Sequence, residues 1–311
     1  MEINLKSKPD LSVTIAGVKF SNPVLVASGT FGYGEEYGDL IDLSRLGGIV
    51  CKSVTLLPRE GNPPPRTVET PSGMLNAIGL TNNGVDRFIQ EKLPFLQKQK
   101  TRVIVNVAGR TIEEYVEVVK KLNLCKGIDM LEINISCPNV KEGGLAFGAR
   151  CESAQACVKQ VKQITGFPIM VKLSPNVTDI AEIAQSVEEV GADAISLINT
   201  LVGMAIDVEK RRPVLGNITG GLSGPAIKPV ALAMVWKVAN AVKVPVIGLG
   251  GIMNTQDALE FFLAGASMIQ IGTANFVDPQ TSVNIVNGLN GYLKEKGIER
   301  ITDLVGKLET K

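Results

Sequence analysis

Apolar residues in this chain gather into short unbroken runs instead of alternating with polar ones. Eight runs recur: VLVASG (24–29), GGIVCKSVT (47–55), RVIVNVAG (102–109), MLEINISCP (130–138), PIMVKLSP (168–175), AISLINT (194–200), PVIGLGG (245–251) and MIQIGTA (268–274). Strands covered on both faces read this way, whereas a strand with one wet face alternates. Segments of helical period lie between them, at 111–124, 152–165, 177–191, 228–242 and 254–265. The first has a Thr at its cap position, Glu in its first turn and Lys in its last. The junctions VGADAIS and AGASMIQ echo each other before the sixth and eighth strands. Such alternation implies parallel strands joined by right-handed crossovers. Eight units in about 250 residues predict a (β/α)8 TIM barrel. A doubly wound open sheet is the rival architecture, but it usually has fewer strands.

Two stretches break the repeat. Residues 54–82 are rich in Pro and Gly, and residues 201–222 read as a β-hairpin with a glycine-rich return. Both follow strand C-terminal ends, so both are expected over the catalytic mouth, and loops this long are more often functional than idle. The segment 12–24 reads as an N-terminal hairpin closing the barrel bottom. No linker is evident, so residues 1–311 are expected to form one domain.

Composition narrows the class. The 311 residues are 45% hydrophobic, enough for a sizeable core. Net charge is +1, from 32 basic and 31 acidic residues, which argues against a dedicated nucleic-acid or membrane-surface protein. Five cysteines occur without a CxxC, so neither a disulfide framework nor a zinc or iron–sulfur site is suggested. Reduced thiols in the cytoplasm are the simplest reading. The N-terminal MEINLKSKPD lacks an apolar signal core, and no segment reaches the ~18 apolar residues of a membrane span. The chain contains no histidine, so any proton transfer must use Cys, Lys, Asp, Glu or Tyr.

Five strands carry a lone polar residue near the C-terminal end: Lys52, Asn106, Asn134, Lys172 and Asn199. Burying an unpaired amide costs roughly 2–7 kcal/mol, and an ammonium more. One such residue is compatible with a satisfied core polar group, but five at equivalent levels of a barrel converge on one spot. Two lysines and three carboxamides suit an anionic, hydrogen-bonding, planar ligand. No carboxylate cluster joins them, so no metal site is expected.

The seventh and eighth strands end in GLGG (248–251) and GTA (272–274), each before a helical pattern. Small residues there let backbone N–H groups and helix N-termini hold a phosphate at the usual barrel position. The stretch GGLSG (220–224) can add a third backbone wall. A Gly-Gly pair taken singly is more often just a turn. The fingerprint GxGxxG is absent. A phosphate grip with lysines and amides points to FMN or pyridoxal phosphate. The first needs amides along its pyrimidine edge and a cation near N1, and the second needs one lysine as a Schiff base.

The motifs SGMLNAIGLTNNG, INISCPNV, VKLSPNVTDI, NITGGLSGPAIKP and GTANF resemble those of the class 1 dihydroorotate dehydrogenases, and most closely the FMN-containing catalytic subunit of the NAD-linked subgroup. The resemblance spans nearly the whole chain. It implies an FMN-binding barrel that oxidises dihydroorotate to orotate in pyrimidine biosynthesis. It implies Cys137 as the base that removes the C5 proton while hydride passes from C6 to flavin N5. A free thiol is only a few per cent thiolate at neutral pH, so nearby cations and exclusion of water have to assist. A buried structural cysteine fits Cys51, Cys125 or Cys157 better than Cys137.

The same resemblance implies that substrate is bound by Lys52, Asn76, Ala77, Ile78, Gly79, Leu80, Asn134, Asn139, Asn199 and Thr200. Lys52 meets the carboxylate. The FMN positions implied are Ser28, Lys52, Ser53, Asn106, Asn134, Lys172, Ile198, Gly224, Gly250, Gly251, Gly272 and Thr273. Lys172 is expected to stabilise negative charge on the N1–C2=O edge of the reduced ring. Taken alone, Asn76 would read as an Asx turn.

Electrons must then leave the flavin. The NAD-linked subgroup implies a partner subunit carrying FAD and a [2Fe–2S] cluster, in a heterotetramer of two of each chain, and the cysteines here have no spacing to hold that cluster. The alternatives are a fumarate-linked enzyme of the sister subgroup or a dihydropyrimidine dehydrogenase-like flavoenzyme. From another class, a phosphate-binding barrel serving as sensor or scaffold also fits the bare pattern.

Overall fold

The structure is a computed structural model that describes residues 9–136 and 148–310. Eight parallel strands close into a barrel: β3 (Val24–Val26), β4 (Gly48–Val50), β7 (Arg102–Val107), β8 (Met130–Asn134), β9 (Ile169–Lys172), β10 (Ala194–Leu197), β15 (Val246–Leu249) and β16 (Met268–Ile271). The predicted (β/α)8 architecture is therefore the one observed. β3, β4, β8, β9, β10, β15 and β16 are buried at every position, which is why their sequences run apolar without alternation.

The helices cover the outside. Ile112–Leu122 buries Tyr115, Val118, Val119 and Leu122, the i, i+3, i+4, i+7 stripe of an amphipathic helix. Each such side chain contributes about 1.5–3 kcal/mol on burial. Thr111 caps this helix by accepting from the Glu114 N–H, and Asp179 and Asn254 cap Ile180–Glu189 and Thr255–Leu263 likewise. The helices Cys151–Ile164, Lys228–Ala239 and Thr281–Lys296 complete most of the ring. The connection from β4 carries a helical stretch over 84–96 that widens into a π turn before Pro94, a residue with no N–H to donate. The first unit departs from the repeat. Between β3 and β4 lie only two 3-10 turns, Glu35–Tyr37 and Leu43–Arg45. Gly32 and Gly34 both take positive φ there, a conformation that ends helical propagation.

β1 (Val13–Ile15) and β2 (Val18–Phe20) form the expected hairpin. The Lys19 carbonyl accepts from Arg102 Nε at 2.7 Å, which puts the hairpin beside the start of β7, at the barrel bottom. At the other end the two insertions join. β5 (Thr67–Thr70) and β6 (Gly73–Asn76) come from the first; β11 (Leu201–Met204) and β14 (Thr219–Ser223) come from the second. They pair antiparallel in the order β11-β14-β6-β5, so one sheet lies over the mouth. The short hairpin β12 (Ile206–Asp207) and β13 (Arg212–Pro213) extends from it. Leu75, Ala77 and Leu215 form a small separate core under this sheet. Among the described residues, no helix is long and apolar enough to cross a membrane.

Candidate functional site

Polar side chains inside the barrel form one connected set. Glu132 on β8 is fully buried and accepts from Asn106 Nδ2 at 2.5 Å, Gln270 Nε2 at 2.7 Å and Ser196 Oγ at 2.9 Å. Lys172 Nζ stands 3.8 Å from Glu132 Oε2 and 3.4 Å from Ser28 Oγ. Asn106 Oδ1 accepts in turn from Ser53 Oγ at 2.5 Å and from Asn134 Nδ2 at 3.3 Å. Asn134 Oδ1 receives the Ser136 hydroxyl at 3.0 Å, and Ser136 Oγ receives Asn199 Nδ2 at 2.9 Å. From outside the barrel, the Tyr115 hydroxyl donates to the Asn134 carbonyl at 2.7 Å. Strand ends and one covering helix thus hold each amide in a single orientation.

Above this floor a cavity opens between the strand tips and the four-stranded sheet. Its described lining holds two cations, Lys52 and Lys172, and no acidic residue. Burial pulls the Lys52 ammonium below its ordinary value of 10.5, with the nearby Arg66 adding to that and Glu36 opposing it. Desolvation of this kind disfavours the charged form, and an anion brought alongside would restore it. Two buried polar atoms in the lining residues have no hydrogen-bond partner, Thr200 Oγ1 and Gln270 Oε1. Buried polar atoms are normally paired, so both suit contact with a bound molecule.

One side of the cavity is a glycine cradle. Gly224, Gly250 and Gly251 take φ of 98°, 134° and 73°, and a Cβ on Gly251 would stand 2.8 Å from the Gly224 carbonyl and the Lys228 N–H nitrogen. Only glycine lets these two loops approach so closely. At Gly272 a Cβ would meet nothing nearer than 3.7 Å and would occupy the cavity instead. Thr273 Oγ1 donates to Ser223 Oγ at 2.8 Å, tying the end of β16 to the lid sheet. The residues therefore fit a phosphorylated, planar, anionic cofactor: a backbone cradle at one end, a cation and orphan polar atoms at the other.

Most of the residues singled out from sequence line this cavity: Ser28, Lys52, Ser53, Asn76, Ile78, Gly79, Leu80, Asn134, Lys172, Ile198, Asn199, Thr200, Gly224, Gly250, Gly251, Gly272 and Thr273. Two do not. Asn106 is fully buried beneath Ser53 and Asn134, and Ala77 is in the small core under the lid. Both support lining residues and do not themselves reach the space. Cys137 and Asn139 lie outside the described residues. Ser136, which directly precedes Cys137, is buried and held through both Asn134 and Asn199. Glu132, Ser196 and Gln270 are not among the residues singled out from sequence; the first two sit below the cavity lining, and Gln270 lines it. The signal was present: Glu132 lies two residues before Asn134 on the same strand face. Cys51 and Cys157 are buried, and burial pushes the Cys157 thiol up to about 12.

Residues 10–293 match the family model described as dihydroorotate dehydrogenase. The dihydroorotate dehydrogenase B (NAD(+)) catalytic subunit of Geotalea uraniireducens is 59% identical over 303 residues, covering 97% of this chain and 99% of that one. The protein of the same name from Bacteroides thetaiotaomicron is 56% identical over 300 residues, covering 96% and 99%. A crystal structure of the Eimeria tenella dihydroorotate dehydrogenase in complex with ferulenol superposes with a TM-score of 0.80 at 24% identity, over 98% of this chain and 90% of that one. That likeness concerns the fold.

Proposed function

The chain belongs to the dihydroorotate dehydrogenase family, and on that premise we propose that it is the catalytic subunit that oxidises dihydroorotate to orotate in pyrimidine biosynthesis. The observation that carries the reading is the convergence of Lys52 and Lys172 on one cavity whose described lining holds no acidic residue and which is bounded by a glycine cradle. We take residues 1–311 as one FMN-binding barrel domain working in the cytoplasm.

FMN, when bound, supplies the acceptor for the hydride leaving C6 of the substrate. The cradle of Gly224, Gly250, Gly251, Gly272 and Thr273 would hold its phosphate, with Ser28, Ser53, Asn134, Ile198 and Lys172 along the ring and Asn106 supporting from below. Lys172 is a fixed positive charge in a water-poor site, worth far more there than in bulk solvent. Lys52 receives the substrate carboxylate, which supplies the counter-charge that burial withholds. Asn76, Asn134, Asn199 and Thr200, with the backbone of 77–80, offer donors and acceptors to the imide and ring edges, and Asn139 belongs to the same set. Cys137 takes the C5 proton as its thiolate. Its neighbour Ser136 is held by two amides that also face the site. The proton ends on sulfur and the electron pair of the C5–H bond becomes the new C=C bond as hydride leaves C6.

The relatives are named as catalytic subunits, which implies a separate partner subunit. We assign it FAD and a [2Fe–2S] cluster that pass electrons to NAD, in a heterotetramer of two of each chain. Purified protein is expected to show flavin bands that bleach when dihydroorotate is added without oxygen. Cys137→Ala is expected to keep the bands and lose the bleaching. A colourless protein would defeat the flavin reading, and normal bleaching in the variant would defeat the role of the thiol. Purification from the native host tests the partner: reduction of NAD only in its presence supports the assignment, and direct turnover with fumarate would overturn it.

A further inference from the structure

We propose that Glu132 is a positioning residue for the flavin site: its buried carboxylate holds the Lys172 ammonium and sets the polarity of the amides that face the ring. The inference rests on the flavin reading above and goes beyond it, because Glu132 does not line the cavity.

A carboxylate buried at 0% exposure inside a barrel is too costly to keep for packing alone. Glu132 is compensated by donors on every side. Asn106 Nδ2, Gln270 Nε2 and Ser196 Oγ all donate to it, and the Lys172 ammonium stands 3.8 Å away. An ionised carboxylate only accepts, so each carboxamide must turn its NH2 toward it. Two consequences reach the cavity. Asn106 is left with its oxygen toward Ser53 and Asn134, which fixes both of those side chains. Gln270 is left with a buried, unpartnered Oε1 in a residue that lines the cavity, an acceptor waiting for a ligand N–H. Glu132, Ser196 and Gln270 come from the fourth, sixth and eighth strands in barrel order. That is the alternate-strand pattern of one barrel layer, so the carboxylate sits directly under the ring of strand tips.

The charge has its own effect. A negative group behind Lys172 offsets part of the positive field that the flavin ring meets. Removing that charge exposes the ammonium more fully and favours the reduced flavin. Glu132→Gln can be housed: its new NH2 can face Ser196 and a turned Gln270 amide, while its oxygen keeps Asn106.

The experiment compares wild type, E132Q, K172M and the double variant, each loaded with FMN, by anaerobic titration of the flavin midpoint potential. E132Q is expected to move the midpoint positive, with the preference for reduced over oxidised flavin rising at least tenfold, about 30 mV for a two-electron couple. The shift is expected to shrink in the K172M background, as coupling through Lys172 requires. E132D keeps the charge but draws it back from Lys172. Its expected shift has the same sign and is smaller, so it carries the test should E132Q fail to fold. An unchanged midpoint in a flavin-loaded E132Q, or in E132D where E132Q does not fold, would overturn this inference and leave the flavin reading standing. Wild-type protein that takes up no FMN would sink both.

Discussion

Asn76 and Gly221 lie opposite each other in the register of β6 and β14, although 145 residues separate them in the chain. Asn76 Nδ2 donates to the Gly221 carbonyl at 3.3 Å. The pairing welds the two insertions into one sheet, so this side of the cavity is built by partners that neither insertion contains alone. A Cβ on Gly221 would overlap the Thr200 hydroxyl. Gly221→Ala is therefore expected to push Thr200 aside and raise KM for dihydroorotate several-fold. The FMN content of the purified protein is expected to stay at wild-type level, because Gly221 does not line the cavity and the phosphate cradle is formed by other glycines. Steady-state kinetics with the flavin-to-protein ratio check both halves.

Lys172 is held by Ser28 and Glu132 at the cavity floor, and the model of charge stabilisation rests on it. Lys172→Ala is expected either to lose FMN or to slow its reduction by two to three orders of magnitude, the usual effect of deleting one preorganised group. The variant also leaves Glu132 without its cation, so Tm is expected to fall as well. Stopped-flow mixing with dihydroorotate reads the rate. Full flavin content with an unchanged half-reaction would remove Lys172 from the chemistry.

Lys52 gives a pH dependence with a defined sign. Its ammonium is pulled down from 10.5 chiefly by burial. The folded, ligand-free protein therefore binds fewer protons here than the unfolded chain. Charged Lys52 weakens the empty fold below its lowered pKa, and that penalty is lifted as pH rises through it toward 10.5. Binding a carboxylate needs the ammonium, so the sign reverses for the ligand. Affinity for orotate is expected to be flat below the lowered pKa of the free protein and to fall above it. Lys52→Met is expected to bind about ten- to a hundredfold more weakly, as for a lost charge-assisted hydrogen bond, and to lack the part of that alkaline fall that belongs to Lys52. Calorimetric titration across pH tests this, and an alkaline limb unchanged in Lys52→Met would contradict it.

Gly251 combines a φ of 73° with a Cβ position 2.8 Å from backbone atoms of Gly224 and Lys228. An alanine there pays the left-handed penalty of about 1–2 kcal/mol and forces the two loops apart. Gly251→Ala is expected to lower Tm by a few degrees and to leave the protein substoichiometric in FMN. A thermal melt with a flavin assay distinguishes this from Gly221→Ala, whose effect falls on substrate.

The hydrophobic pattern by itself determined the barrel. Strands buried on both faces must run apolar, and helices covering them must carry one apolar stripe, so eight strands and the five helices between the third and the eighth of them were legible, whereas Thr281–Lys296 was not read. Lone polar residues at strand ends marked Lys52, Asn134, Lys172 and Asn199, because burial of such groups demands a reason. Gly250-Gly251 after β15 and Gly272-Thr273 after β16 marked the cradle in the same way. Other features depended on contacts that no local window contains. The glycines after β3 replace the first helix with 3-10 turns. The union of β6 with β14 brings Asn76 and Thr200 to one cavity. Asn106 and Ala77 became supports because strand register, set by pairing across the sheet, placed them below the surface that ligand can reach. Glu132 is a lone acid in an apolar strand, and only closure of the barrel surrounds it with donors from three other strands and stands it beside Lys172. A linear pattern records which residues are buried; which buried groups meet is decided when the sheet curls and its last strand pairs with its first.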